Sequence, residues 1–256
     1  MDENKKAKLL EDSYDEGPLT DMYSSTYKKN RIVDNDTSIT DSNNSQQIPQ
    51  NSEITPSGLT GYYATYNPDY AAGYANSWVS SLANGTNMEQ RYNSAYKNFN
   101  PLGGDCANFV SQSINEGGGL PMIGLSIHSN TFPAWWYDKK GTTTTTDDTY
   151  TSTWAWTGAD AQRTFMAYYY GVANDNPTNN SINRGDPVYI DWNYSSGARY
   201  YNHATICVGK DSNGVPIINC HNNDYYHVRW NYGYSDSAYS VVNMRSSSYT
   251  RKLDQK

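Results

Sequence analysis

The spacing of apolar side chains along the chain changes once, near residue 184. Upstream, apolar residues recur every three to four positions, as in a helix with one buried face. The first such stripe comprises Ala71, Ala75, Trp78, Val79 and Leu82. Downstream, apolar residues come in the short strand-like runs "DPVYIDW", "NHATICVGK" and "VPIINCHNND", and a later run over Tyr239–Met244 predicts another strand. This order predicts an α+β fold, with N-terminal helices packed on a C-terminal antiparallel β-sheet.

Local signals predict where three helices begin or end. Asn67 is a candidate N-cap of the first helix, because Pro68 follows it at the first helical position. Asp105 is a candidate N-cap of a second helix, which Gly117–Gly119 would end. Thr157 is a candidate cap of a third helix, which begins in "WTGADAQRTFMAYYY".

The chain divides by composition into a tail, one domain and a short C-terminal extension. Residues 1–57 are rich in Asp, Asn, Ser, Lys and Gln and lack a sustained period, which predicts a disordered tail or a linker. The predicted domain covers residues 58–246, and residues 247–256 are predicted to form a C-terminal tail. A length of 256 residues fits one domain of ordinary size with such tails.

Charge and hydropathy restrict the partners. The net charge is −7, which disfavours the phosphate backbone of a nucleic acid as a partner. No apolar run approaches the roughly 20 residues of an integral membrane segment. The N-terminal segment lacks the apolar core of a signal peptide. We therefore expect a cytoplasmic protein, unless this chain lacks its export signal, in which case we expect a secreted or cell-wall-associated one.

The aromatic residues are weighted towards Tyr, with 25 Tyr and 7 Trp against 4 Phe. Tyr and Trp combine an apolar body with a polar tip, so they suit wet grooves that hold peptides or sugars. Ordinary core aromatics would give the same composition, so composition alone does not choose between a groove and a core.

Cys106 is a candidate nucleophile, since it occupies the first turn of the predicted second helix. The backbone N–H groups and the positive dipole end of a helix N-terminus favour thiolate over thiol. The same N–H groups can hold a developing oxyanion, so Gly104 and Asp105 mark the predicted substrate and oxyanion region. By position alone, Cys106 fits a small buried residue on an apolar helix face equally well.

A nucleophilic cysteine needs a general base, and the chain has four histidines. His203 opens the predicted strand "HATICVG", and His221 ends the partner strand "VPIINCH". A histidine at a strand end is held by sheet pairing and can face a helix that packs on the sheet. These two residues are therefore the candidate partners of the thiol.

Five blocks of the chain resemble, in order, the motifs of the putative amidase-domain family: "GGDCANFVSQSINEGG", "TWAWTGADAQRTFMAYY", "GDPVYIDW", "NHATICVG" and "GVPIINCHNND". That family is related to the NlpC/P60 and CHAP cysteine peptidases. The resemblance covers Tyr66 to Asp224. It implies a papain-like, NlpC/P60-type fold and hydrolysis of amide bonds, typically in cell-wall peptidoglycan. It also implies that Cys106 is the nucleophile and His203 the base.

Two positions depart from the family's pattern. The family commonly has Asp-His at the base, whereas Asn202 precedes His203 in this chain. Relatives often have Gln where this chain has Cys220. Both departures leave the nucleophile and the base in place, but they put the tuning of the base in question.

The third catalytic residue depends on the register of the hairpin around "DSNG". With a three-residue loop and a left-handed Gly214, His203 and His221 share a face of the sheet. With a two- or four-residue loop, Asn222 moves onto the His203 face instead. We predict the three-residue loop and His221 as the third residue, with Asn222 and Asn219 as the alternatives.

The same registers decide the state of Cys207 and Cys220. A two-residue loop would place these cysteines opposite each other, where a disulfide becomes possible. The three-residue loop instead places Thr205 opposite His221. In a regular hairpin, the disulfide and the partnership of His203 with His221 therefore exclude each other.

These observations predict a cysteine amidase or peptidase that acts on peptidoglycan or another peptide, as a monomer and without a cofactor. The alternative is a catalytically impaired papain-like module that binds peptide or glycan through a Tyr-rich groove. An acyl transferase would use the same thiol chemistry. A zinc hydrolase built on His203, His221, His227 and Asp224 is a weaker hypothesis, because the chain has no HExxH-type pair. No metal site is predicted.

Overall fold

The computed structural model describes residues 61–85, 91–102, 104–123, 134–138, 152–194, 199–222 and 224–251. The predicted tail, residues 1–57, lies outside these ranges. The first strand, β1 (Gly61–Thr65), pairs antiparallel with the last strand, β8 (Ser247–Arg251). Strand pairing therefore continues past residue 246, the predicted end of the domain.

Helices follow β1 in the part of the chain that the structure describes. They are α1 (Pro68–Ser77), α2 (Cys106–Gln112), α3 (Trp154–Thr157) and α4 (Ala159–Tyr169). A π-helical turn over Ser113–Gly117 continues α2. Within the described ranges, no helix is long and apolar enough to cross a membrane.

The predicted helix caps have different outcomes. Asn67 caps α1, because its side-chain oxygen accepts hydrogen bonds from two backbone N–H groups of the first turn. Asp105 precedes α2, but its carboxylate makes no capping hydrogen bond. Thr157 ends the separate short helix α3, and Gly158 occupies the N-cap position of α4. Asp105 therefore occupies the predicted N-cap position of α2, although its carboxylate bonds elsewhere. The cap predicted at Thr157 is wrong, because that residue is itself helical.

The main sheet is antiparallel, with the strand order β2-β7-β3-β4-β5-β6. Its strands are β2 (Gly171–Asn174), β3 (Pro187–Asp191), β4 (His203–Lys210), β5 (Pro216–Cys220), β6 (Tyr225–Arg229) and β7 (Ala238–Met244). The four predicted strand runs correspond to β3, β4, β5 and β7. The predicted α+β architecture, helices first and an antiparallel sheet after, is confirmed.

The core divides into two clusters that follow the alternation of β4. Ala204 and Ile206 belong to the larger cluster, which also holds Phe109 of α2. Cys207 belongs to a smaller cluster with Ile218 of β5. Both α1 and α2 pack against β4. One face of the strand therefore meets the helices, while the other contributes to a second, smaller core.

The β4–β5 hairpin has the predicted three-residue loop. The backbone N–H of Asp211 donates to the carbonyl of Val215 at 2.8 Å. Gly214 has a φ of 77°, the left-handed conformation that such a loop requires.

A β-bulge in β4 then shifts the ladder by one residue. Ile206 pairs with Asn219, whereas an unbroken ladder from the same loop would pair it with Cys220. The predicted pairing of Thr205 with His221 is therefore wrong, and so is the predicted placement of His203 and His221 on one face of the sheet. The physical reason is the extra residue taken up by the bulge, which displaces the start of β4 by one position relative to β5.

Candidate active site

Cys106 is the first residue of α2, and only 2% of it is exposed. Every residue of α2 is buried, so the helix runs through the core rather than along the surface. The helix packs against β4, the strand that begins at His203. The predicted nucleophile and base thus belong to two elements in direct contact. Because Ala204 and Ile206 face α2, the side chain of His203 projects from the other face of β4, together with that of Cys207.

The start of α2 and the start of β4 lie at the same end of the sheet. Because β4 and β5 are antiparallel, His203 at the start of β4 and His221 just after β5 lie at one end. The Nδ1 atom of His221 lies 2.7 Å from Oδ2 of Asp105, the residue before Cys106. This contact joins the start of α2 to the end of the sheet that carries His203. We call this end of the sheet the site end.

Asp105 is fully buried and joins the helix, the preceding loop and the sheet. Its Oδ1 accepts hydrogen bonds from the backbone N–H of Phe99 at 3.0 Å and from Nδ2 of Asn108 at 2.8 Å. Its Oδ2 contacts His221, and its backbone N–H donates to Oδ1 of Asn222 at 2.6 Å. Asp105, the residue before the thiol, is therefore hydrogen-bonded to the preceding loop, to α2 and to the segment that follows β5.

Both ring nitrogens of His221 face hydrogen-bond acceptors. Nδ1 faces the Asp105 carboxylate, and Nε2 lies 2.8 Å from the backbone oxygen of Trp78. A carbonyl only accepts, as does an ionised carboxylate, so beside ionised Asp105 the ring donates from both nitrogens and is positively charged. Burial alone lowers the pKa of His221, but the hydrogen bond and charge of Asp105, the charge of Asp224 and the Trp78 carbonyl outweigh burial and raise it.

Asp224 is a second buried carboxylate beside this pair. Its side chain is fully buried, and neither carboxylate oxygen has a hydrogen-bond partner among the described residues. Burial raises the pKa of Asp224 to about 6; the charge of His221 opposes this rise, and the charge of Asp105 adds to it. The cluster thus combines one imidazole ring with two carboxylates.

His203 is buried at the site end, with 1% of its surface exposed. It pairs with Ile190 of β3. Its ring lies against that of Trp192, with ring centroids 5.4 Å apart, and near that of Tyr232 at 6.5 Å. Aromatic side chains therefore shield this imidazole from solvent.

Comparison with known proteins gives one family. A model described as "Putative amidase domain" matches residues 65–244, more than half of the chain. This chain belongs to that family. The uncharacterized protein YhbB of Bacillus subtilis (strain 168) is 28% identical to it over 144 residues, which are 55% of this chain and 39% of that protein. The match therefore spans less than half of that relative. No solved structure gives a significant match.

In this amidase domain, the backbone donors of the predicted oxyanion region have partners within the protein. The N–H of Gly104 donates to the carbonyl of Phe99 at 3.3 Å, and the N–H of Asp105 donates to Asn222. A side chain at Gly104 would begin 2.6 Å from Nδ2 of Asn222. These residues therefore shape the loop before the thiol, and an oxyanion would need donors further along α2.

The three candidates for the third catalytic residue have different partners. Both ring nitrogens of His221 are taken by Asp105 and a backbone carbonyl, as described above. Asn222 has a left-handed φ of 64° and contacts the backbone of Asp105. Asn219 donates from Nδ2 to Oδ1 of Asn76 in α1 at 2.9 Å. His221 and Asn222 thus contact the segment before the thiol, whereas Asn219 contacts α1.

Sequence reasoning missed the place of Asp224 beside the Asp105–His221 pair. It considered Asp224 only as a zinc ligand. Among the described residues, no group of three or more His, Cys, Asp or Glu side chains is arranged to hold a metal ion. The usable signal was the short spacing between His221 and Asp224, at the "H-x-N-D" ending of the last motif block.

The three cysteines are buried, and none of them forms a disulfide. Cys207 pairs with Ile218 rather than with Cys220, so the structure does not form the disulfide alternative. Burial raises the pKa of Cys207 to about 11, which keeps this thiol protonated at neutral pH.

Proposed function

We propose that this amidase domain hydrolyses amide bonds of cell-wall peptidoglycan with Cys106 as nucleophile and His203 as general base. Membership of the amidase family supports amide hydrolysis. The cysteine mechanism rests on one observation, the contact between Asp105 and His221, which holds the start of α2 at the end of the sheet where β4 begins with His203. The resemblance to the papain-like NlpC/P60 and CHAP peptidases supports the same roles.

The proposed reaction requires the ring of His203 to turn from the face of the smaller core cluster towards α2, where it takes the proton of the Cys106 thiol. The thiolate then attacks the amide carbonyl. Since the N–H groups of Gly104 and Asp105 have other partners, we assign the oxyanion to the first N–H groups of α2, starting at Cys106. Protonated His203 then gives its proton to the leaving amine. Water hydrolyses the thioester and restores the thiol.

His221 has a distinct role in this proposal. The Asp105 carboxylate lies next to the thiol in sequence, and an uncompensated negative charge there would raise the thiol pKa. The imidazolium of His221 neutralises that charge while it holds Asp105 in place. We therefore propose that His221 supports the nucleophile, by neutralising and holding Asp105, and does not orient His203.

The test is digestion of purified peptidoglycan, followed by mass spectrometry of the soluble products. Wild-type protein should release fragments with new amine and carboxyl ends, and Cys106→Ala should release none while remaining folded. Cys207→Ala is the matched control, because it removes a buried thiol from the other core cluster and should retain turnover. Turnover by Cys106→Ala would overturn the assignment of the nucleophile.

A peptidoglycan substrate lies outside the cytoplasmic membrane, so export belongs to this proposal. Binding of peptidoglycan by wild-type protein without release of any product would instead favour the binding module with a Tyr-rich groove.

A further inference from the structure

We propose that Asn222 is a further catalytic residue, whose side-chain amide donates a hydrogen bond to the oxyanion that forms when Cys106 attacks the substrate. The inference rests on the proposed function and deepens it, because it assigns an oxyanion donor from outside α2. Attack of the thiolate forms a C–S bond and moves the π electrons of the carbonyl onto its oxygen. That oxygen needs hydrogen-bond donors until the amine leaves and the carbonyl re-forms.

The backbone at Asn222 brings its side chain to the side of the sheet on which Cys106 lies. Asn222 lies two residues beyond the end of β5, and its φ is 64°. Ile218 and Cys220 of β5 belong to the smaller core cluster, on the side turned away from α2. A regular extension of the strand would direct the next alternate side chain, that of residue 222, to the same side. The left-handed turn instead brings the Asn222 amide to Asp105, directly before α2.

This left-handed conformation is itself a sign of function. Among the described residues, only Asn222 and His227 have a positive φ without being glycine. Such conformations carry strain, and they concentrate at functional sites. At Asn222 the strained turn is what places an amide group beside the start of the nucleophile helix.

The contacts of the amide show which end faces which group. The backbone N–H of Asp105 only donates, so the Asn222 atom that lies 2.6 Å from it is the oxygen. The nitrogen faces Gly104, where a Cβ would lie 2.6 Å from Nδ2 and 3.8 Å from Oδ1. Glycine therefore permits this approach, and the two N–H groups of the amide lie at the segment that leads into the thiol.

The amide is shielded from water without being sealed in. Asn222 is 7% exposed, compared with 2% for Cys106 and 0% for Asp105. Low exposure strengthens a hydrogen bond to a developing negative charge, because little water competes for the donor. The amide is also neutral, so it adds no charge to the carboxylates and imidazole beside the thiol.

A second donor is available on α2. The first intrahelical hydrogen bond of α2 runs from the N–H of Phe109 to the carbonyl of Asp105 at 2.9 Å. The N–H of Cys106 lies in the turn before this bond, for which the helix itself supplies no acceptor. A substrate oxygen at the start of α2 can therefore receive one hydrogen bond from the backbone of Cys106 and one from Asn222.

A purely structural Asn222 would need only its oxygen, which accepts the N–H of Asp105. Aspartate has the same shape and offers the same acceptor, but it has no N–H group. Glycine removes the whole amide, adds no charge and keeps the left-handed backbone. Asn222→Asp and Asn222→Gly therefore separate the two roles.

The test compares two reactions of the same thiol. Hydrolysis is measured as the initial rate of amine release from purified peptidoglycan, with Cys106→Ala as the blank, and alkylation by iodoacetamide is measured by mass spectrometry. Both reactions use the thiolate, but alkylation displaces iodide and forms no oxyanion. We expect Asn222→Gly and Asn222→Asp to lower the ratio of hydrolysis to alkylation by about 100- to 1,000-fold. Asn213→Gly removes the same side chain from the exposed hairpin loop and should leave the ratio unchanged.

Equal losses in hydrolysis and alkylation would show that Asn222 only positions the thiol, and they would overturn the proposal. Wild-type hydrolysis by Asn222→Asp would also overturn it, since the acceptor alone would then suffice. Alkylation confined to Cys106 verifies that a variant is folded, because Cys207 and Cys220 are buried. No amine release by wild-type protein would remove the proposed function together with this assignment. Release that is unchanged in Asn222→Gly would remove the assignment alone.

Discussion

The imidazole of His221 and the carboxylate of Asp105 meet at 2.7 Å in the interior, one residue before Cys106. Their side chains are 2% and 0% exposed, so solvent and salt screen their interaction very little. The two residues are separated by 116 positions in the chain. The start of α2 is thus held by a charged contact that exists only when the helices and the sheet have come together.

Removal of the imidazole should destabilise the protein strongly. His221→Ala would leave the Asp105 carboxylate buried without its cationic partner, and we expect a loss of about 3 kcal/mol or more in the free energy of unfolding. Urea denaturation measures this loss. The double variant with Asp105→Asn should recover part of it, because residue 105 then carries no unpaired buried charge. A stability of His221→Ala close to that of wild type would contradict the charged contact.

The ionisation of Asp224 should make stability depend on pH. Because the pKa of Asp224 is raised from 3.8 to about 6, the folded protein binds this proton more tightly than the unfolded chain. Its contribution to stability is therefore greatest below about pH 4 and falls as the pH rises towards 6 and beyond. We expect Asp224→Asn to remove this decline, and to gain roughly 2–3 kcal/mol on wild type between pH 4 and 7.

Urea denaturation of both proteins at several pH values measures the difference. The raised pKa of His221 affects stability at higher pH than that of Asp224. The positive charge of His221 contributes fully to stability below about pH 6.5, and this contribution is lost as the pH rises through the raised pKa of His221. Parallel pH profiles for wild type and Asp224→Asn between pH 4 and 7 would contradict the assignment.

A methyl group at Gly104 should impair turnover without unfolding the protein. Gly104→Ala would place Cβ 2.6 Å from Nδ2 of Asn222, whose side-chain oxygen accepts the hydrogen bond from Asp105. We expect kcat to fall by about tenfold or more, because a small misplacement of the nucleophile weakens catalysis strongly.

Gly73→Ala is the matched control for that substitution. Gly73 lies within α1, and a Cβ there would meet no atom within 4 Å. We expect unchanged kcat and a gain of up to about 1 kcal/mol in stability, since alanine favours the helix. Equal kinetic effects of the two substitutions would show that the loop before Cys106 has no special role.

Iodoacetamide should modify Cys106 in preference to the other thiols. Burial raises the pKa of Cys207 to about 11, and Cys220 lies in the same core cluster, near the hydroxyl of Tyr232. At neutral pH we expect one alkylated residue and a parallel loss of activity. Peptide mapping by mass spectrometry identifies the site, with Cys106→Ala as the control that should remain unlabelled. First labelling at Cys207 would contradict the proposed thiolate.

Strands β3, β4, β5 and β7 were predictable because their signals are local, whereas β2 and β6 were not predicted. Alternating β-branched and aromatic residues lie between turn residues, and the three-residue loop followed from the left-handed preference of Gly214. The partners of His221 were not predictable in the same way. A single extra residue in β4 leaves the hydrophobic pattern almost unchanged, yet it reverses which side chains face each other across the hairpin.

Asp105 shows a second limit of local reasoning. Its position before a helix is that of an N-cap, and a short polar side chain there usually bonds to the first turn. The structure instead directs the carboxylate to Phe99, Asn108 and His221. A buried imidazole contributed by the far end of the domain is the stronger partner, and no spacing within the helix indicates it.

The bulge in β4 also restricts how the length of this hairpin can vary in evolution. Since side chains alternate between faces with a period of two, adding or removing one residue between His203 and His221 would exchange the faces of these residues relative to each other. A change of two residues would leave both where they are. Natural insertions and deletions in this segment are therefore expected in even numbers.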